Sequence, residues 1–166
     1  HMKLTFSDPN PVGMESDAEF LEMILAEPLA ADDVGERLGA MLPAGFTVLE
    51  VQVLADGAPG IAKQLRGRVY EVGDLPAAAA AAAAAKLGSP LAVEVTHKGK
   101  VRQVDLSEVA RAAAAPPGGL RLTLSNGAGV RPAEAVEALV GRPTDVQSIR
   151  KVDVELAPWP GGGVKR

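Results

Sequence analysis

The sequence contains no cysteine, and it has few aromatic residues and no long apolar run. Without cysteine, the chain itself cannot form disulfides, zinc–thiolate sites, thiol nucleophiles or cysteine-held iron–sulfur clusters. Aromatic residues make up only 3% of 166 residues, so we expect an aliphatic, alanine-rich core. Because no apolar stretch reaches about 18 residues and no signal-peptide pattern is present, the sequence predicts a cytoplasmic protein without membrane contact.

Charge is distributed unevenly along the chain, although the net charge is only −4. Residues 1–56 carry eleven acidic side chains against two basic ones, a balance of −9. Residues 57–166 carry fifteen basic side chains against ten acidic ones, a balance of +5. Such asymmetry indicates an acidic partner, such as a nucleic acid, for the basic part.

Hydrophobic periodicity predicts an α+β fold in which strands alternate with helices of about ten residues. Helices are expected in LAADDVGERLGAMLPAG, near 61–65, over the alanine run 77–85, from 105 through 113, and from Arg131 to Gly141. Strands are expected at 3–6, 20–25, 46–54, 68–72, 91–96, 101–104, 120–125 and 148–156. The alanine run also fits a flexible linker, but alanine has the highest helix propensity. In HKGK, Gly99 suits a hairpin turn that needs positive φ.

This order of elements is typical of ferredoxin-like, split βαβ sandwiches and suggests two lobes. We expect an acidic β-β-α-β lobe over 1–56, a basic α+β lobe over 57–157 and a flexible tail over 158–166. The first lobe offers three strands where a complete sandwich has four. An unpaired sheet edge recruits other chains, so we expect a homo-oligomer through residues 3–54.

Sequence templates for catalysis and for cofactor binding find no match. No phosphate-binding loop with a following Lys-Ser or Lys-Thr is present. His97 lies at a hairpin tip, where a solvated side chain is more frequent than a catalytic base. Asp32 and Asp33 lie at a helix start, where the helix dipole accounts for them. We therefore expect a non-catalytic protein without metal or cofactor.

Basic residues of the second lobe are the candidate binding residues. If their strands share one sheet, several cations converge on one surface that can contact phosphates; ordinary scattered surface charge is the alternative. Tyr70 and Trp159 are the only tyrosine and tryptophan, so contacts are expected with the RNA backbone rather than with stacked bases. The candidate RNA-binding residues are Lys98, Lys100, Arg102, Arg121, Arg131, Arg150 and Lys151.

Three stretches of the chain carry a family resemblance: KLTFSDPNPVGMESDAEFLEMIL, HKGKVRQVDL, and GVRPAEAVEALVG with SIRKVDVEL. They resemble the radical-SAM-linked proteins, a bacterial family of unknown function fused to or encoded beside radical SAM proteins. The family carries a basic amino-terminal helix before the LTF strand, and this chain begins without it. The resemblance implies a radical SAM or ribonuclease partner and a link to RNA processing.

Together these observations predict a non-catalytic accessory domain that binds the backbone of RNA, such as tRNA or rRNA, and assists such a partner. The alternative is a protein–protein scaffold that docks the partner through the acidic lobe without touching RNA.

Overall fold

The computed structural model describes residues 3–6, 8–115 and 118–157, and its α+β architecture confirms the predicted fold class. The predicted tail over 158–166 lies outside the described residues. The amino-terminal elements are β1 (Lys3–Phe6), β2 (Glu15–Ser16), β3 (Leu21–Ile24) and α1 (Ala31–Met41). β1 and β3 pair antiparallel as a separate two-stranded sheet.

The remaining described residues form a longer run of alternating elements. They are α2 (Ile61–Gln64), β4 (Leu65–Val72), α3 (Ala77–Ala85), β5 (Ala92–His97), β6 (Lys100–Asp105), α4 (Leu106–Val109), β7 (Ala110–Ala114), β8 (Leu120–Ser125), α5 (Pro132–Val140) and β9 (Ile149–Leu156). The alanine run is therefore helical, as its propensity predicts.

The central sheet has five strands in the order β2-β9-β4-β8-β7. Along the chain, β4-α3-β7-β8-α5-β9 is a β-α-β-β-α-β unit, and the spatial order β9-β4-β8-β7 is that of a ferredoxin-like sheet with antiparallel neighbours. β2 adds a fifth strand, parallel to β9. The β5–β6 hairpin is inserted between α3 and β7 as its own two-stranded sheet.

The hydrophobic core lies between one face of this sheet and the helices α3 and α5. Leu120, Leu122 and Ile149 supply the sheet side, and each is fully buried. Ala80 and Ala83 of α3 are also buried, because their small side chains let the helix backbone approach the strands. The low aromatic content thus corresponds to a core of Leu, Val, Ile and Ala side chains.

Two predicted elements are wrong. Residues 46–54 form no strand, and they pair with no strand among the described residues. The helix expected through residue 113 ends at Val109, because Ala110–Ala114 pairs with the edge of β8 instead. In both places a local sequence pattern did not determine which backbone groups pair.

The amino-terminal residues divide between the central sheet and a less buried region. Residues 15–16 join the central sheet as β2, and Asp17 N donates to Lys151 O at 2.8 Å. By contrast, α1 buries none of its residues. Residues 46–54 lie beside α1, with Val51 near Gly35 and Val48 near Gly39. The division of the chain near residue 57 stays a prediction.

Candidate functional site

The β5–β6 hairpin presents three of the predicted cations. Lys98 and Gly99 both have positive φ, 50° and 74°, as a tight hairpin turn requires. Lys98 and Lys100 are exposed, and no carboxylate of the described residues pairs with either. Arg102 instead reaches out of the hairpin. Its Nη2 donates to Gly129 O at 2.8 Å, so the hairpin is tied to the loop that precedes α5.

The contact with Arg102 requires glycine at position 129. A Cβ at this position would collide with the Arg102 guanidinium, and its φ is +72°. The loop between β8 and α5 therefore needs glycine where the hairpin packs on it.

Arg121 and Arg150 lie on the face of the central sheet opposite the helices. Both are opposite Glu71 in the strand register, and directly opposed residues share a face. Arg121 Nη1 lies 2.7 Å from Glu71 Oε1, and Arg150 Nη2 lies 2.6 Å from Asp17 Oδ1. The hydrogen bond to Asp17 holds the pKa of Arg150 above its usual value. These cations are exposed but already paired with carboxylates.

Arg131 occupies the N-cap position of α5. Its backbone N–H donates to Glu134 Oε2 at 2.8 Å, and its guanidinium contacts Glu134 Oε1 at 2.6 Å. The hydrogen bond to Glu134 raises the pKa of Arg131. This pair closes the first turn of the helix, although the guanidinium remains largely exposed.

The sequence predicted a phosphate-binding side chain at Lys151, but Lys151 is buried in the interior. Its side chain is 1% exposed, and its ammonium lies 2.6 Å from Glu19 Oε1, 3.2 Å from Asp8 Oδ2 and 3.1 Å from Asp8 O. Asp8 Oδ1 also accepts from Arg68 Nε at 2.6 Å. Lys151 therefore anchors the residues before β2 to the sheet, and it does not offer its charge to solvent.

The seven predicted cations thus fall into three places. Lys98, Lys100, Arg102 and Arg131 lie on the hairpin and the loop that it touches; Arg121 and Arg150 lie on the open sheet face; Lys151 is buried. The premise of one shared sheet does not hold, because β5 and β6 pair only with each other.

A cleft of about 370 Å³ lies beside the hairpin-contacting loop and was not predicted. One wall comes from residues 8–11 and the other from residues 125–132, with Arg68 and Tyr70 also lining it. Burial raises the pKa of Tyr70 to about 12, and Asp8 and Glu19 add to this while Arg68 opposes it. No local pattern marks these side chains, because the Asp8–Arg68 and Asp8–Lys151 contacts join residues 60 and 143 positions apart.

The surface of residues 4–54 is unusually apolar. Of the eleven exposed large hydrophobic side chains in the described part of the chain, ten lie in this stretch. Among them Val12 is fully exposed, Met41 is 85% exposed, and Leu49 and Val53 are each 78% exposed. Val101 of β6 is the eleventh.

Residues 3–6, 8–115 and 118–157 contain no group of three or more metal-ligating side chains. Within the same ranges, no helix has the length and apolar character needed to cross a bilayer.

Fold and surfaces together define an α+β protein with a ferredoxin-like sheet, an inserted basic hairpin and an apolar amino-terminal surface. The chain belongs to a family described as an uncharacterized protein conserved in bacteria (DUF2344), whose sequence model matches residues 1–142. Searches of curated proteins and of solved structures gave no match.

Proposed function

We propose that this protein is a non-catalytic accessory domain that docks onto a partner protein through the apolar surface of residues 4–54. The observation that carries this proposal is the concentration of ten exposed large hydrophobic side chains in this stretch. Scattered apolar residues are normal on protein surfaces, whereas apolar side chains that form one contiguous patch mark an interaction site, and we propose that those of residues 4–54 form such a patch. The helix α1 buries none of its residues in this chain. Because an amphipathic helix is stabilised mainly by packing, a partner is expected to cover its apolar face.

The partner's contacting face is expected to be apolar and rimmed by cations. Residues 1–56 have a charge balance of −9, so a basic rim complements them and steers association. A second copy that met this surface face to face would carry the same negative charge, which disfavours self-association. The resemblance to radical-SAM-linked proteins supports a radical SAM or RNA-processing protein of the bacterial cytoplasm as the partner.

Co-purification tests this proposal. The tagged protein is expressed together with a bacterial radical SAM protein, the partner that the resemblance implies, and capture is compared for the wild type and a Phe46→Ser/Leu49→Ser/Val53→Ser variant. Because these side chains are exposed, the variant keeps the fold but loses the partner. Val101→Ser is the matched control: it removes a 60% exposed apolar side chain outside the surface, so capture persists.

Light scattering on the isolated protein separates docking from self-association. If the wild type forms dimers that the triple serine variant dissociates, then the occupant of the surface is a second copy, as the unpaired sheet edge suggested. Equal capture of the partner by the wild type and the triple serine variant also contradicts the proposal.

A second function, contact with RNA phosphates, is favoured by the hairpin. Lys98 and Lys100 are exposed and lack a carboxylate partner among the described residues, unlike Arg121 and Arg150. We propose that the hairpin binds the RNA backbone electrostatically and with little sequence preference, because the open sheet face carries no aromatic side chain opposite Glu71, Val69 or Gly67.

Replacement of Lys98, Lys100 and Arg102 by glutamine tests the RNA interaction. Binding of tRNA or rRNA fragments should weaken at low salt, and the slope of log K against log salt should fall by about one for each phosphate that the variant no longer neutralises. Arg121→Gln is the control, because its guanidinium is already paired with Glu71. An unchanged slope in the triple glutamine variant removes the hairpin from any RNA interface.

A further inference from the structure

The cleft between residues 8–11 and 125–132 is lined by Tyr70, whose hydroxyl has no hydrogen-bond partner among the described residues. Tyr70 is only 3% exposed, and its hydroxyl makes no hydrogen bond with the described residues. Only Asn10 Oδ1, among the described side chains, is both unpartnered and sealed from solvent. The Tyr70 hydroxyl must therefore reach solvent, and the cleft that Tyr70 lines gives it access. A hydroxyl that has no hydrogen-bond partner among the described residues and opens into this cleft is available to a ligand atom that enters it.

Arg68 places charge beside this hydroxyl. Its Nε is held by Asp8 Oδ1 at 2.6 Å, which fixes the guanidinium, while its two terminal nitrogens have no acceptor among the described residues. Asp8 is in turn neutralised by Lys151, so its carboxylate is already engaged from both sides. A fixed guanidinium fork with free terminal nitrogens matches the oxygens of a phosphate or carboxylate group.

The opposite wall supplies further donors. Gly127 and Gly129 donate no backbone hydrogen bond within the described residues, and the loop that holds them leads directly into the amino terminus of α5. The amino terminus of α5 is itself already closed, because Glu134 accepts from the Arg131 N–H and Pro132 has no N–H, so the donors on this wall are the loop N–H groups. The Arg131 guanidinium stands at the same rim and is 73% exposed.

We propose that this cleft binds a phosphate monoester, with the Arg68 terminal nitrogens, the Tyr70 hydroxyl and the loop N–H groups as donors to its oxygens. The number of these donors matches the three terminal oxygens of such a group better than the two oxygens of a carboxylate. Tyr70 keeps its proton at neutral pH because burial disfavours the phenolate, so the hydroxyl can donate. The phosphate can belong to a small phosphorylated metabolite or to the phosphorylated end of an RNA.

Calorimetric titration at low salt tests the proposal with paired probes. Inorganic phosphate and adenosine monophosphate are compared with adenosine, and a short 5′-phosphorylated RNA is compared with its 5′-hydroxyl form. We expect the full-length protein to bind the phosphate-bearing probe of each pair. A preference for the phosphorylated RNA identifies an RNA end as the source of the phosphate, and equal binding of adenosine monophosphate identifies a small metabolite.

Tyr70→Phe is the decisive variant, because it removes one oxygen and keeps the ring in the core. Loss of a hydrogen bond to a charged ligand weakens binding about tenfold or more. The midpoint of thermal unfolding should stay unchanged or rise, since the deleted hydroxyl has no partner among the described residues. Arg121→Gln, on the opposite sheet face, should leave phosphate binding unaltered.

Ala128→Asp is a second variant that does not touch the core. Ala128 lines the cleft and is half-buried, so a carboxylate there repels phosphate without removing a donor. Absence of wild-type binding to any phosphate probe at millimolar concentration overturns the proposal. Equal affinity of the wild type, Tyr70→Phe and Ala128→Asp overturns it as well.

Discussion

The buried contact between Asp8 and Lys151 gives the most direct test of how the amino-terminal residues are held to the sheet. Lys151 has three N–H donors and three acceptors: Asp8 O, Asp8 Oδ2 and Glu19 Oε1. Asp8 also holds Arg68 through its other carboxylate oxygen. Changing Asp8 to alanine therefore deprives two cations of a partner, and one of these cations is 1% exposed.

The expected cost of Asp8→Ala follows from this burial. Breaking a buried ion pair by removing one partner costs about 3–5 kcal/mol, because a charge stays behind without compensation. Glu19 and the main-chain oxygen of residue 8 remain, so we expect the lower end of that range. For a chain of this length, about 3 kcal/mol lowers the midpoint of thermal unfolding by about 6–12 °C.

Thermal and urea unfolding, followed by circular dichroism, measure this difference. Asp17→Ala is the matched control, because its pair with Arg150 lies on the surface, and we expect its midpoint to coincide with that of the wild type. Lys151→Met should destabilise the protein as well, because it leaves the Asp8 carboxylate with Arg68 alone and removes the ammonium partner of Glu19. If Asp8→Ala and Asp17→Ala unfold together, then the buried pair does not anchor the amino-terminal residues.

Three further predictions concern single residues. Tyr70 is the only tyrosine, so ultraviolet titration of the folded protein should show phenolate appearing near pH 12, and stability should fall as pH rises above the unfolded value near 10. Gly119→Ala should lower the free energy of unfolding by about 2–5 kcal/mol, because a Cβ there would lie 2.6 Å from Val72 O and the φ of +104° is unfavourable for alanine. Gly127→Ala is the control: its φ is also positive but its surroundings are open, so it should cost only about 1–2 kcal/mol. Urea unfolding measures both differences. Hydrogen bonds from Leu91 N and Ser107 lower the pKa of Asp105 in the folded protein. The stabilisation that Asp105 contributes should therefore be lost as the pH falls from its unfolded pKa through its folded pKa. Asp105→Asn should make the free energy of unfolding less dependent on pH in this acidic range.

The sequence predicted elements that are set by local chemistry. The helix over the alanine run needs only propensity, and the start and end of α5 follow from Pro132 in its first turn and Gly141 in the left-handed conformation after its last. The α+β class was also predictable, because strand and helix periods alternate along the chain, although β7, one of the four ferredoxin-like strands, was predicted as helix. These are features in which a short window carries all the information.

What the sequence did not predict depends on distant partners. Residues 46–54 alternate as a strand should, but they join none of the described sheets, whereas Ala110–Ala114 has no strand signal and pairs with β8. Lys151 follows Arg150 in the same strand and was grouped with it, yet Asp8, 143 residues away, makes its burial possible. The cleft could not be predicted from the sequence for the same reason, since its two walls come from residues that are more than 110 positions apart in the chain.

The cleft is also the place where the two proposed surfaces meet. Its first wall begins at Asp8, two residues after β1, whose Leu4 and Phe6 belong to the exposed apolar surface. Its second wall contains Gly129, to which the basic hairpin is tied through Arg102. A partner that moves β1 therefore acts on residues 8–11, which are held by the ion pairs of Asp8 rather than by long strand pairing. An RNA that moves the hairpin acts on the loop at Gly129, which forms the opposite wall of the cleft. Since Asp8 links both Arg68 and Lys151, the position of the Arg68 guanidinium in the cleft depends on the same contact that fixes the amino-terminal residues. Occupation of the cleft and docking at the apolar surface are thus expected to influence each other through Asp8.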